Sequence, residues 1–258
     1  RGFICADEVR AFLNPRLSTL ADPLLLSGMQ DAVDRIFHAI DQRQRIVLFG
    51  DYDVDGVTSL ALLSEMLRAY GGEAALFLPR RIEEGYGLSA EGVARCLRQH
   101  NPQLLIAIDC GTSSSVEIAS LRKAGVDVIV LDHHEPKTEL PECLLVNPKT
   151  TNSGFEYLCS VGLTFKLCHA LLKTRRIDFD LKTVLDLVAL GTVADIVPLQ
   201  GDNRVFVKSG SAVIASSRRA GIIKLIEVAG VKPPVMPDDI GYRLGPRAEA
   251  RGVLPVHF

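Results

Sequence analysis

No G-x-G-x-x-G follows the first apolar run of this 258-residue sequence, so the phosphate cradle of a dinucleotide-binding Rossmann domain is missing. There is no C-x-x-C either. The six cysteines (Cys5, Cys96, Cys110, Cys143, Cys159, Cys168) are dispersed, which argues for reduced thiols and against disulfides or a zinc site. No apolar run is long enough to span a bilayer and no signal peptide is evident, so the expected location is cytoplasmic, with no membrane partner. Excess charge is lacking too: at a formal net charge of -2 nothing marks the whole chain for a polyanion, and any such binding must use local basic patches. Internal repeats and low-complexity tracts are absent. The chain opens on Arg1 rather than Met, and the expectation is a fragment or a processed form.

What is present is a globular pattern, 47% hydrophobic and 23% charged, with room for one large domain or two small ones. Short β-rich apolar runs recur at 46–49, 75–78, 104–108, 126–131 and 144–146. Helical spacing separates several of them, over 60–70 and over 114–124, the latter opening on a capping box from Ser114 to Glu117. Continuous rather than alternating apolar strands interleaved with helices indicate an α/β fold: a doubly wound, mostly parallel five-stranded sheet with helices on both faces. A mainly helical segment follows, with helices over 161–174, 181–190, 209–216 and 222–228. Residues 1–45 read as an N-terminal helical lead-in, and VKPPVMPDD (231–239) as a linker.

The polar residues gather where these strands end. DYDVDG places Asp51, Asp53 and Asp55 at alternate positions after the first run, which would aim all three one way if the strand continued. Asp109 ends the third run, and Asp132, His133 and His134 end the fourth. Carboxyl ends of parallel strands meet in one crevice. Asp195, in GTVADIVPL, is a further candidate. One strand-end aspartate is usually a helix cap and one His-His pair usually packs, but three such features together repel unless a cation sits among them. Carboxylates with an imidazole suit Mn²⁺ or Mg²⁺, and a bridging carboxylate would make the two-cation clamp used in phosphoryl transfer.

FGDYDVDGVTS, AIDCGTSS, VLDHHEP and ALGTVADIVPL resemble, in order, the four motifs of the DHH phosphoesterase superfamily. LPRRIEEGYGL, LLVNPK, VGLTFKL and PLQGDNR resemble its RecJ branch of single-strand-specific 5′ to 3′ DNA exonucleases, and the likeness runs from about Ile46 to Arg247. It implies a phosphoesterase domain over 46–200 and a metal-dependent hydrolase of DNA repair and recombination that releases 5′-mononucleotides, with one or two Mn²⁺ (or Mg²⁺) ions. It implies Asp51, Asp53 and Asp55 divided between two metal positions, Asp109 bridging them, His133 as a ligand, Asp195 completing the second position and His134 on the scissile phosphate. Asp132 would orient His133, as suits a ligating histidine. The P-x-R pattern favours Arg81 as a phosphate contact, and Arg247 of GYRLGPR is carried over as substrate-binding. Tyr86 either stacks on a base or packs; Asn203-Arg204 is structural or functional.

Single-stranded DNA is the implied partner, with single-strand-binding protein and repair helicases as protein partners. The same metal site serves oligoribonucleases, cyclic-dinucleotide phosphodiesterases and pyrophosphatases, and DHH folds also occur as non-catalytic replication scaffolds. Members of the RecJ branch continue past GYRLGPR with a segment similar to INAAGRL and a substrate-binding domain. This chain reads AEARGVLPVHF there, so residues 201–258 are expected to lead toward a missing C-terminal domain.

Overall fold

The computed structural model describes residues 5–81, 83–137 and 139–249. Helices α1 (Ala6–Leu13) and α2 (Met29–Asp41) lead into β1 (Ile46–Gly50). The chain then alternates through α3 (Val54–Ala69), β2 (Ala74–Phe77), α4 (Ala90–His100), β3 (Leu104–Ile108), α5 (Ser115–Lys123), β4 (Asp127–Leu131) and β5 (Leu144–Val146). A helical part follows, with α6 (Ser160–Thr174), α7 (Leu185–Ala194), α8 (Gly201–Ala215), α9 (Ala220–Ala229), α10 (Pro237–Asp239) and α11 (Gly245–Glu249). No helix among the described residues is long and apolar enough to cross a membrane.

The five strands are all parallel, in the order β2-β1-β3-β4-β5. β1 and β3 are buried along their whole length because both faces of the sheet are covered. Ile46, Leu48, Leu104, Ile106, Ile129 and Leu131 pack on one face with Val33 and Ile36 of α2, Leu63 and Leu67 of α3 and Leu167 of α6. Val47, Phe49, Leu105, Ala107, Val128 and Val130 pack on the other with Val93 and Cys96 of α4 and Ile118 and Leu121 of α5. The doubly wound sheet is therefore as expected. The chain leaves β1 outward to β2 and returns to β3 on the opposite side, so a crevice opens at the carboxyl ends of β1 and β3.

Several elements differ from the sequence reading. α3 begins at Val54, six residues before the apolar spacing announces it, because Asp53 caps it by accepting the Gly56 N–H at 2.8 Å. Gly56 is needed there: a Cβ would lie 2.5 Å from the Asp51 carbonyl oxygen. At α5 the Ser114 side chain makes no cap hydrogen bond, so the expected capping box does not form. α4 has no counterpart in that reading; Ser89 caps it through the Gly92 N–H. VKPPVMPDD is packed rather than extended, since Val231 and Val235 are buried with Ile222, Leu225 and Ile240.

The segment before α2 is tied to α6 and α8. Lys166, fully buried on α6, pairs with Asp202 of α8 and donates from Nζ to the Ala21 carbonyl at 2.7 Å. Asp202 Oδ1 also accepts the Ala21 N–H at 3.3 Å. α7 is apolar on every side because it is sandwiched between α3, α6 and α8. Its close approach to α8 depends on Gly210, where a Cβ would stand 2.2 Å from the Leu185 carbonyl oxygen and 2.4 Å from Ala189 Cβ.

Gly210→Ala gains about 1 kcal/mol of helix propensity but must push α8 off α7, an overpacking cost of about 1–3 kcal/mol. The expected outcome is net destabilisation, read as a lowered urea midpoint with an unchanged slope.

Candidate metal centre

Asp51 lies in the turn just after β1, Asp53 is the cap of α3, and Asp55 sits in that helix's first turn. A turn and a helix start, not strand alternation, set their directions, so that Asp51 and Asp53 share one set and Asp55 turns to another. Asp55 is buried and held by two backbone amides at the start of α6: Oδ2 accepts the Ser160 N–H at 2.7 Å and Oδ1 the Val161 N–H at 2.8 Å. Asp109, directly after β3, is buried and accepts from Ser160 Oγ at 2.9 Å. Its φ is +64°, and that of Ile196, beside Asp195, is +59°. Left-handed backbone costs an aspartate little but a β-branched isoleucine more, so local strain is stored at Ile196, beside the cluster.

His133 is the meeting point. Its Nε2 lies 3.3 Å from Asp109 Oδ1, 3.7 Å from Asp195 Oδ2 and 3.8 Å from Asp55 Oδ2. Three carboxylates from three different elements face one imidazole nitrogen. A second set, Asp51, Asp53 and Asp109, has ligand atoms all within 4.8 Å of one another. Asp109 belongs to both. Asp51 Oδ2, Asp109 Oδ2 and Asp195 Oδ2 are buried without a hydrogen-bond partner, a state that fits cations better than protein donors.

Electrostatics point the same way. Burial, aided by the Asp53 charge, pushes Asp51 and Asp195 up to about 6. Burial raises Asp55 and Asp109 as well, and each is raised further by a neighbouring carboxylate. Burial and the charge of His134 lower His133 to about 4, which keeps it in the neutral form that ligates metals.

Asp132 behaves differently from its neighbours. Burial would raise it, but the hydrogen bonds and charge of His134 and the donors of Thr112 hold it well below the usual carboxylate range. Its Oδ1 takes His134 Nδ1 at 2.7 Å, and it meets His133 only through the backbone N–H at 2.8 Å. The ring it orients is therefore that of His134, not of His133 as the sequence suggested. His134 Nε2 points at the Tyr86 hydroxyl, 3.1 Å away, and the bond to Asp132 raises the imidazole's pKa.

The remaining candidates lie at the rim. Arg81 stacks over Tyr52 at 5.0 Å, and Tyr86 stands edge-on to Tyr52 and to His134. Arg247, on α11, is exposed and donates to the Arg243 carbonyl; no contact ties its guanidinium to the acidic cluster. Asn203 is fully buried and donates to the carbonyls of Tyr157 and Pro198, and Arg204 covers Phe12, so both are structural. Four residues went unseen in the sequence. Ser160 steadies Asp109, and Asn147 joins Thr112 Oγ1 to the His134 carbonyl. Glu249 caps α3 through the Val54 N–H at 3.2 Å. Cys159 has its Sγ beside Asp55 and Asp195. None carries a local signal, because each acts through a partner far away in the chain.

The family model "DHH family, N-terminal domain" matches residues 45–192. The chain belongs to the DHH family. This DHH chain is 36% identical over 256 residues to the single-stranded-DNA-specific exonuclease RecJ of Bacillus subtilis, covering 98% of the chain and 32% of that protein. It is 37% identical to the RecJ of Thermus thermophilus, covering 94% and 35%. Among solved structures, exonuclease RecJ bound to manganese superposes with a TM-score of 0.80 at 36% identity, over 88% of this chain and 58% of that one. RecJ of Thermus thermophilus in complex with Mn²⁺ gives 0.79 at 33% identity, over 92% and 34%. The DHH chain thus spans about a third of the length of these curated relatives.

Two outcomes are expected. His133→Ala should lose tightly bound Mn²⁺, whereas His134→Ala should retain it and lose about two to three orders of magnitude in turnover, as for a removed oxyanion donor; metal content and rate, measured side by side, check this. The second concerns stability without metal. Carboxylates whose folded pKa lies above the unfolded 3.8 take up protons on folding, so their contribution is lost as pH rises from about 4 through about 6, and beyond it for Asp55 and Asp109. His134, raised, acts in the same direction; the lowered His133, His169 and Asp132 oppose it. Under chelation the melting temperature should fall with rising pH across this window, and Mn²⁺ should abolish the trend.

Proposed function

We propose that this chain is the hydrolytic core of a metal-dependent exonuclease acting on single-stranded DNA from the 5′ end and releasing 5′-mononucleotides. One observation carries the reading: His133 Nε2 faces three carboxylates, and one of them, Asp109, also belongs to the Asp51–Asp53 set. In this reading Asp55, Asp109, His133 and Asp195 hold one cation, and Asp51, Asp53 and Asp109 the other. Mn²⁺ or Mg²⁺ bound there would supply Lewis acidity to the attacking water and the leaving oxygen.

The protein's own groups do the positioning. Asp132 accepts the hydrogen bond from His134 Nδ1–H, which fixes the ring and presents Nε2–H to a phosphate oxygen. Tyr86 holds that donor in place until a phosphate replaces its hydroxyl. The rim of Tyr52, Tyr86 and Arg81 offers π-faces and a guanidinium fork, which suit unstacked bases and a terminal phosphate. The curated relatives are named as single-stranded-DNA-specific exonucleases, which supports the same substrate here.

Grip on a long strand is a separate matter. Arg35, Arg80, Arg95, Arg122, Lys149, Lys173, Arg175, Arg219 and Arg243 are all engaged in ion pairs. Phosphate contacts dominate such affinity, and at a net charge of -2 the chain carries no excess of cations to track a backbone.

The test is Mn²⁺-dependent digestion of single strands labelled at either end, DNA and RNA in parallel. The expected result is early release of a 5′-labelled mononucleotide from short DNA, with long strands bound weakly at physiological salt. Release from the 3′ end, preference for RNA, or processive digestion of long strands would each overturn part of the reading.

A further inference from the structure

Cys159 stands immediately before α6, fully buried, where the backbone amides of Ser160 and Val161 grip Asp55. Its Sγ and carboxylate oxygens of Asp55 and Asp195 lie within 4.8 Å of one another. Those two carboxylates are also the ones that face His133 Nε2 at 3.8 and 3.7 Å. Asp109 approaches the same nitrogen to 3.3 Å, and its side chain, almost wholly buried, keeps Oδ2 without any hydrogen-bond partner. The sulfur's own contact, to Thr192 Oγ1 at 3.7 Å, is weak and readily given up.

We propose that Cys159 gives the His133 position a sulfur donor, so that this position captures a thiophilic divalent cation such as Zn²⁺ or Cd²⁺ in competition with Mn²⁺. The inference rests on the metal centre proposed above. Sulfur and two carboxylate oxygens form a three-donor group, and His133 Nε2, 3.7 and 3.8 Å from those same carboxylates, would add the fourth donor that tetrahedral zinc accepts, whereas Mg²⁺ and Mn²⁺ are served by oxygen and nitrogen alone. When the metal–sulfur bond forms, the S–H bond breaks and its proton passes to the buffer; no electrons are exchanged and the cation keeps its charge. Thiophilic cations drawn toward α6 would leave Asp109 poorly shared with the Asp51–Asp53 set, so they should inhibit rather than substitute.

The experiment titrates Cd²⁺ into the metal-free chain and reads the ultraviolet sulfur-to-metal charge-transfer band, with Mn²⁺ binding followed calorimetrically on the same samples. The expected result is a band saturating at one Cd²⁺ per chain, erased by excess Mn²⁺. Cys159→Ser and Cys159→Ala should lose it, with Cd²⁺ affinity weakened roughly tenfold or more and Mn²⁺ binding retained. A band that survives in both variants, or that Mn²⁺ does not displace from the wild type, belongs to another cysteine and overturns the proposal. A wild type that binds Mn²⁺ yet shows no band overturns it while leaving the metal centre intact. A wild type that binds no Mn²⁺ overturns the centre and the proposal together.

Discussion

Mutual repulsion among buried carboxylates is the constraint on which this structure turns. Asp51, Asp55 and Asp109 are each at most 1% exposed, and Asp195 joins them across His133. Burying one such charge without compensation costs several kcal/mol, and burying several together is prohibitive unless protons or cations enter. The fold supplies partial relief: two amides at the start of α6 for Asp55, one hydroxyl for Asp109, one backbone amide for Asp51. These hold geometry without neutralising charge. Three carboxylate oxygens remain with nothing to accept from, and a divalent cation answers that deficit with the least rearrangement.

The sequence made the sheet legible because its strands are buried on both faces and so read as unbroken apolar runs. It also made the site's ingredients legible, since each acidic cluster directly follows such a run. Their arrangement was harder to see. Alternation of Asp51, Asp53 and Asp55 suggested one shared direction, but the cap at Asp53 starts α3 at once and sends Asp55 toward α6. Asp132 next to His133 suggested a pair, but backbone direction after β4 turns its carboxylate to the ring of His134. α4 and the packed 231–239 stretch were missed for another reason. Their apolar residues are few, and only tertiary contact makes Val93, Val231 and Val235 core residues.

Two histidines side by side have opposite electrostatic fates: the hydrogen bond to Asp132 raises the pKa of His134, whereas burial, helped by the His134 charge, lowers that of His133. The carboxylate is itself fixed by Thr112, which Asn147 links to the His134 carbonyl. The two imidazoles are therefore separated by a single peptide unit and set apart by a chain of hydrogen bonds that reaches from the end of β3 to the segment after β5.

The donors of the centre are scattered from the end of β1 to the last turn of α7, with the start of α6 wedged between. No subset of neighbouring elements can assemble it, because His133, Asp55 and Asp195 come from distant parts of the chain. Contacts of such long sequence separation carry a large loop-closure cost. The meeting of His133 with Asp55 and Asp195 is thus a record of completed topology: it exists only once α7 has docked against α3 and α6, and a cation bound there would report that docking.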